Sequence, residues 1–372
     1  MTGSVTGEAL PEPAAETTAA PVAYSLLANP CLINVTERLS KSLDEVTMRL
    51  RALAVLALPF IVLGAAPAAA EQSKREQLEQ RLLEVVDMFQ KDPRYNRGKT
   101  AAQIKDSAEF VTGNVLFVLG HETGHALISE FALPVLGREE DAADSLASIV
   151  AIKMASSFAD RVVVNAARGW FLSDQRDRME GVPTAFYDEH GIDVQRAYNI
   201  VCLLVGGNAE KFAKLADDAR LPTERRRTCK DDYNNASWSW EQALKPYVRK
   251  QDDPKTNIEV NYGPAKDHAA LAETGKKLLI LETVAEWLSE DFAWKNPISL
   301  EMQECGSPGA RWEWKAKKVT VCYEIIREFV QLYRDYGQKP LVPGGMMVAR
   351  NKQIVSSGKG AKKFSKAYRP AR

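Results

Sequence analysis

The sequence predicts a predominantly helical α+β protein with a small region of antiparallel strands towards the C-terminus. From residue 73 to residue 250 apolar residues recur at the spacing of amphipathic helices, and after residue 257 short runs alternate apolar and polar residues as half-buried strands do. Among the 372 residues, 45% are hydrophobic and 26% are charged, which is typical of globular proteins. The formal net charge is zero, so no overall field attracts nucleic acid, and no nucleic-acid partner is expected.

Apolar spacing and helix-breaking residues place the first helices. Residues 73–91 carry apolar side chains at helical spacing opposite charged ones, which predicts an amphipathic helix. A second helix is predicted from about Ala101 to Glu130, because Pro134 follows closely. A third is predicted to begin near Gly137 and to continue without a break to residue 163.

The chain beyond these helices divides at about residue 250. Residues 194–250 are again helical, with one interruption at 220–227, so residues 71–250 are predicted to form a helical region. Three alternating runs follow, at residues 258–262, 298–305 and 317–324. One helix separates the first two runs and another follows the last, which makes residues 251–340 an α+β region.

Both ends of the chain differ in composition from the middle. Residues 1–47 have no sustained apolar period and are predicted to be a disordered extension, unless Met48 is the true start. From Met48 two arginines, an apolar run and small residues give the layout of a secretory signal peptide, which predicts cleavage after Ala70. The alternative is an uncleaved membrane anchor. Residues 341–372 are predicted to be a disordered basic tail.

The cysteines agree with export to a secreted or periplasmic location. Removal of the leader leaves four of them, an even number, in a compartment where disulfides persist. We predict the two local pairs, Cys202 with Cys229 and Cys305 with Cys322, because the second pair lies at the ends of two strand-like runs joined by a Gly/Pro loop. A zinc site built from all four is the alternative, although no two cysteines have C-x-x-C spacing.

Two of the four histidines lie four residues apart in the apolar run 115–129, where His121, Glu122 and His125 form an H-E-x-x-H motif. On a helix, positions i and i+4 project from one face, so both imidazoles can bind one metal ion while Glu122 faces a water on that metal. The motif therefore predicts a zinc site with Glu122 as general base. The alternative is a pair of core histidines with satisfied hydrogen bonds.

A zinc site of this kind needs a third protein ligand. The extended motif that supplies a third histidine is excluded, because Phe131 stands at the required position. A di-iron site is disfavoured, because neither His190 nor His268 has a glutamate three residues before it. The third ligand is therefore expected among the acids that follow the motif.

Four acids lie at residues 139–144, and the helix dipole explains those in the first turn without a metal. Asp144 lies one turn further, on the face of Glu140, where two carboxylates repel unless a positive group is near. We predict Glu140 as the third ligand and Asp144 as the carboxylate that binds the other N–H of a ligating histidine. Glu139 and Asp141 lack this partner spacing.

The motif H-E-x-G-H followed by G-R-E-E-D-A-A-D resembles the bacterial, secreted "putative metallopeptidase" family. Residues 188–207, 221–229 and 305–324 resemble it too, so the likeness covers most of the mature chain. The E-x-x-x-D element is similar to that of the gluzincins, the thermolysin-type zinc peptidases. The resemblance implies a zincin-like core, bound zinc and peptide hydrolysis. Residues 309–312 depart from the gluzincin pattern, and the strands follow the H-E-x-x-H helix, whereas gluzincins place their substrate-binding edge strand before it.

The remaining histidines receive different predictions. An imidazole or guanidinium near the zinc would stabilise a developing oxyanion, and His190, with Tyr187, Asp188 and Arg196 close in sequence, is a candidate for this catalytic role. A histidine in a surface loop is the equal alternative. His268 is predicted to be an ordinary residue on the surface of a helix.

These observations predict an exported zinc-dependent metallopeptidase that acts on peptide or protein substrates and keeps no stable membrane span once its leader is removed. The alternative is a non-catalytic, zinc-binding exported protein that acts as a binding module or scaffold. Glu122 favours the enzyme, because a structural zinc site would be closed by a fourth ligand and would need no base.

Overall fold

The computed structural model describes residues 66–250, 252–339 and 341 of the chain. The helices of more than four residues in the first part are α1 (Ala66–Lys91), α2 (Ala101–Glu130), α3 (Glu139–Lys153), α4 (Ser157–Glu180), α5 (Asp193–Gly207), α6 (Ala213–Asp218) and α7 (Thr223–Leu244). One helical turn, Pro93–Asn96, lies between α1 and α2, and a 3-10 turn, Lys245–Tyr247, follows α7. The later elements are β1 (Glu259–Tyr262), α8 (Ala269–Lys277), α9 (Ile280–Asp291), β2 (Ser299–Gln303), β3 (Ala310–Glu313), β4 (Lys318–Cys322) and α10 (Tyr323–Tyr336). The predominantly helical α+β class is confirmed.

Helix α2 is the central element and has the predicted bounds. It begins with a capping box, in which the Thr100 hydroxyl accepts from the Gln103 N–H and the Gln103 side chain accepts from the Thr100 N–H. Most of its side chains are buried on all sides, because it packs against α3, α4, α10 and the strands β3 and β4. Neighbours on every side hold the segment that carries the H-E-x-x-H motif.

The prediction of one unbroken helix from residue 137 to 163 is wrong. Helix α3 ends at Lys153, Ala155 takes a positive φ of 49°, and α4 begins after Ser156. The Ser156 hydroxyl accepts from the Ala159 N–H at 3.0 Å, so a local cap starts a new helix where apolar spacing alone predicts continuity. Residues 194–250 are likewise interrupted twice, around α6, rather than once.

The four described strands form one mixed sheet in the order β1-β2-β4-β3. The prediction of antiparallel strands is wrong for two of its three pairings, since β1 with β2 and β2 with β4 are parallel. The crossover through α8 and α9 allows the first parallel pair. Only β3, an edge strand absent from the prediction, runs antiparallel to its neighbour.

Both predicted disulfides are confirmed. Cys202 in α5 is bonded to Cys229 in α7, with Cα atoms 4.9 Å apart. Cys305, just after β2, is bonded to Cys322 at the end of β4, with Cα atoms 5.5 Å apart. With all four bonded in pairs, the alternative of a zinc site made from them falls away.

The predictions for the chain ends fall mostly outside the described residues. The extension, the apolar run of the leader and the basic tail except Leu341 belong to this undescribed part. The predicted cleavage position, Ala70, lies within α1. Across residues 66–250, 252–339 and 341, no helix is long and apolar enough to cross a membrane.

Candidate metal centre

Helices α2 and α3 bring His121, His125 and Glu140 together in the interior, where each is less than 9% exposed. The Nε2 atom of His121 lies 3.1 Å from the Nε2 atom of His125 and 3.1 Å from Glu140 Oε2. The Nε2 atom of His125 lies 3.4 Å from Glu140 Oε1. Three potential ligand atoms from two helices therefore converge on one point.

Gly124, inside the H-E-x-x-H motif, allows α3 to approach α2 so closely. A Cβ atom at this position would lie 3.1 Å from the Cα atom of Ala143 and 3.2 Å from its Cβ atom, tighter than ordinary van der Waals contact. The small residues at both positions let Glu140, one turn before Ala143, reach the two imidazoles.

Carboxylates fix the orientation of both imidazoles. The Nδ1 atom of His121 lies 2.8 Å from Asp144 Oδ1, and that of His125 lies 2.8 Å from Glu139 Oε1. A carboxylate accepts hydrogen bonds, so each Nδ1 carries a hydrogen, and in the neutral form of each ring Nε2 presents a lone pair. Two such lone pairs and the Glu140 carboxylate repel one another unless a cation lies between them. The donor set and its orientation fit a bound metal ion.

The electrostatics of the centre favour positive charge at the same point. Burial disfavours the protonated form of His125, but hydrogen bonds to Glu139 and Glu140 outweigh it and raise the pKa of the imidazole to about 10. Burial also opposes ionisation of Glu140, yet the hydrogen bonds from His121, His125 and His190 hold the pKa of its carboxyl far below the usual range.

Asp144 is held in turn by Arg196 of α5. The guanidinium donates two hydrogen bonds to the carboxylate, Nε to Oδ2 at 2.6 Å and Nη2 to Oδ1 at 2.7 Å, and stacks 3.7 Å from the centre of the Trp170 ring. Burial opposes ionisation of Asp144, but the charges and hydrogen bonds of Arg196 and His121 together outweigh it and lower the pKa of the carboxyl. Arg196 thus lies behind Asp144, rather than facing the converging ligand atoms beside His190.

Glu122 lies next to the ligand atoms without contributing one. Its side chain is 2% exposed, and among the described residues Oε1 has no hydrogen-bond partner. Burial raises the pKa of the carboxyl. The backbone N–H of Trp312, in the edge strand β3, approaches the same carboxyl and favours its charged form. A buried carboxyl with an unused oxygen is therefore available for proton transfer.

His190 reaches the centre from the loop before α5. Its Nε2 atom lies 3.1 Å from Glu140 Oε2, and its Nδ1 atom lies 2.8 Å from Asp188 Oδ1. Its side chain is 14% exposed, so the alternative of a solvated surface histidine does not hold. Tyr187 lies outside the centre, since 85% of it is exposed.

Sequence reasoning missed several residues of the centre. The helix dipole is a sufficient reason for Glu139 in the sequence, yet this carboxylate lies beside His125 Nδ1, and a second partner of this kind is signalled by the second imidazole of the motif. Trp312 was missed because it belongs to an unpredicted strand. His268 was placed on a helix surface, but it is 8% exposed and belongs to a different cluster.

The model of the family described as "Putative metallopeptidase" matches residues 79–244 and 263–351, which is more than half of the chain. The chain belongs to this family. The matched residues of this family member include all of α2, α3 and α5, and so every helical residue of the centre. Among curated proteins and among solved structures, no significant match to the chain is found.

Proposed function

We propose that the protein is an exported zinc-dependent peptidase that hydrolyses bonds in peptide or protein substrates. One observation carries the proposal: Glu122, a buried carboxyl with an unused oxygen, adjoins three oriented ligand atoms of His121, His125 and Glu140. A purely structural metal site would need no such carboxyl. Membership of a metallopeptidase family supports the same conclusion.

Zinc is the ion that best suits two imidazoles and one carboxylate, and three protein ligands leave a fourth position open. When bound there, zinc would polarise the scissile carbonyl and lower the pKa of the attacking water. The chain's own contribution is orientation. Asp144 and Glu139 hold the imidazoles through Nδ1, and Arg196 fixes Asp144.

Glu122 is the general base of this proposal. It takes a proton from the attacking water and passes it to the nitrogen of the departing amine. The raised pKa of its buried carboxyl suits this role, because a stronger base accepts the proton more readily. Burial opposes protonation of His190, but Glu140 and Asp188 outweigh it and raise the pKa of the imidazole. The protonated ring, oriented by Asp188 through Nδ1, is placed to donate from Nε2 to the oxyanion that develops on the former carbonyl.

The outer edge of β3, which pairs with none of the described strands, is the proposed binding surface for the extended substrate. The Cys322 N–H donates to the Gly309 C=O, so these two residues form a hydrogen-bonded pair. Such pairs recur at every second residue of an antiparallel ladder, so Arg311 and Thr320 of β4 form the next one. The backbone groups of Ala310 and Trp312 therefore face away from β4, and the Trp312 N–H is the one near Glu122. A substrate added as a further strand would lie beside the base.

Replacement of Glu122 by Gln tests the proposal. The variant should keep the metal content and thermal stability of the wild type, because Glu122 is not among the ligands, while hydrolysis of a peptide library should fall by about 100- to 10,000-fold. Asp141→Asn is the matched control, since Asp141 is an exposed acid next to Glu140 and should leave the rate unchanged.

Two results would count against the proposal. Full activity of Glu122→Gln would remove the general-base assignment. A wild-type protein that cleaves nothing after verified zinc loading and removal of its N-terminal extension would favour the binding-protein alternative.

Export is a separate part of the proposal. The two disulfides support it, because such bonds persist in oxidising compartments. Mass spectrometry of the protein recovered outside the cytoplasm should give a chain that begins at Glu71. A mature chain that still contains residues 52–63 would exclude cleavage.

A further inference from the structure

His268 is a buried histidine that the proposed peptidase reaction does not use. Its side chain is 9% exposed, and neither ring nitrogen has a hydrogen-bond partner among the described residues. The nearest carboxylate oxygen in an ion-pair contact, Glu304 Oε1, lies 3.6 Å from Nδ1, which is longer than a hydrogen bond. A buried imidazole without such partners is costly unless another group binds it.

The topology of the sheet gathers His268 with two carboxylates. Strands β1, β2 and β4 are parallel, so their carboxyl ends lie at the same end of the sheet. His268 follows β1, Glu304 comes directly after β2, and Glu324 comes two residues after the end of β4. The carboxyl ends of parallel strands are a recurrent position for ligand sites in α/β sheets.

Glu324 is already held in place by the backbone. It is 1% exposed, and its carboxylate accepts hydrogen bonds from the N–H groups of Cys305 at 3.0 Å and Gly306 at 2.6 Å. The Cys305–Cys322 disulfide fixes this loop to the end of β4. A carboxylate has about four acceptor positions, so further acceptor capacity remains on this oriented group.

We propose that His268, Glu304 and Glu324 form a second metal site, for a divalent transition-metal ion such as zinc. One ligand atom from each residue lies within 4.8 Å of the others, so small side-chain rotations bring all three to a common ion. The mixed nitrogen and oxygen set favours such an ion over calcium or magnesium, which prefer oxygen alone. Bound metal would satisfy the imidazole, offset the two carboxylate charges and tie three strand ends together.

Zinc titration of the full oxidised chain, freed of metal with a chelator, tests the site. The wild type should bind two equivalents, and His268→Gln should lose one while keeping the equivalent that depends on His125. Glu304→Gln should weaken the same equivalent by at least about tenfold, and it remains informative if His268→Gln fails to fold. Asp267→Asn is the matched control, because it removes an exposed neighbouring charge without removing a ligand.

Protection against heat gives a second measurement. Zinc should raise the melting temperature of His125→Ala, in which only the second site remains, and should not raise that of the His125→Ala/His268→Gln double variant. The proposal is overturned if the wild type binds a single equivalent that disappears in His125→Ala. It is also overturned if His268→Gln retains both equivalents, or if Asp267→Asn loses the second equivalent as His268→Gln does.

Discussion

The two histidine clusters of this molecule differ in how their imidazoles are held. In the cluster on α2 and α3, a carboxylate binds the Nδ1 atom of each imidazole and leaves Nε2 to face the shared point. At the carboxyl ends of the parallel strands, the single imidazole of His268 has no hydrogen bond from the described part of the chain to orient it, and its neighbours come from the ends of different strands. In the first cluster, carboxylates outside the ligand set already orient the imidazoles for a metal ion. In the second cluster, the metal ion itself must orient the imidazole when it binds.

The largest effects should come from removing one histidine of each cluster. His125→Ala and His268→Gln should each weaken one zinc equivalent by at least about 100-fold and leave the other unchanged, because the clusters share no residue. Zinc titration of both variants and of the double variant measures this. If either substitution alone removed both equivalents, the two clusters would not be independent.

Loss of an outer carboxylate should have the next largest effect. Asp144→Asn should weaken zinc binding at the first cluster by about 10- to 100-fold and slow hydrolysis, because a neutral amide has a single acceptor oxygen and no charge with which to hold both His121 and Arg196. Competition with a chelator of known affinity measures the change. Unchanged affinity would mean that helix packing alone orients the imidazole.

Removal of one disulfide at a time should have the next largest effect, and it should change zinc affinity at only one of the two clusters. Cys305→Ser/Cys322→Ser should weaken zinc binding at the His268 cluster by about tenfold, because the loop whose N–H groups hold Glu324 is released. Cys202→Ser/Cys229→Ser is the matched control and should leave that affinity unchanged. Chemical denaturation should show a loss of about 2 to 4 kcal/mol for each pair. Equal zinc affinities in the two variants would contradict a role for the loop.

The smallest effect should come from Gly124→Ala, which leaves the H-E-x-x-H motif intact. The added methyl group meets Ala143 and pushes α3 outwards, so zinc affinity should fall about three- to tenfold for a packing cost on the order of 1 kcal/mol. Gly120→Ala, one turn earlier in α2, is the control, because its methyl group would make ordinary contact at 3.5 Å. Equal affinities in the two variants would show that the helix crossing is not limiting.

The sequence predicts best what depends on local spacing. The bounds of α2 follow from the helical period of its apolar residues and from its cap. The approach of Glu140 and Asp144 to the imidazoles follows from acidic residues one turn apart on the next helix. The break at Ala155 does not follow, because a single residue of positive φ leaves the apolar period intact.

Tertiary arrangement accounts for the other differences. Strand direction depends on which strands become neighbours, and no run of alternating residues contains that information. Strand β3 lies between residues 305 and 317, a stretch whose Gly and Pro residues indicate a loop in the sequence. The residues around His268 indicate a position on the surface of a helix. Its burial depends on strands distant in sequence, which those neighbouring residues do not reveal.

The unpaired edge of β3 also bears on how the protein behaves in concentrated solution. Backbone groups that could pair with an extended substrate could also pair with the same edge of another molecule. Short length and charge oppose this self-association: β3 has four residues, and Arg311 and Glu313 alternate with its two buried side chains. Both features disfavour the lasting stacking of strands that leads to aggregation.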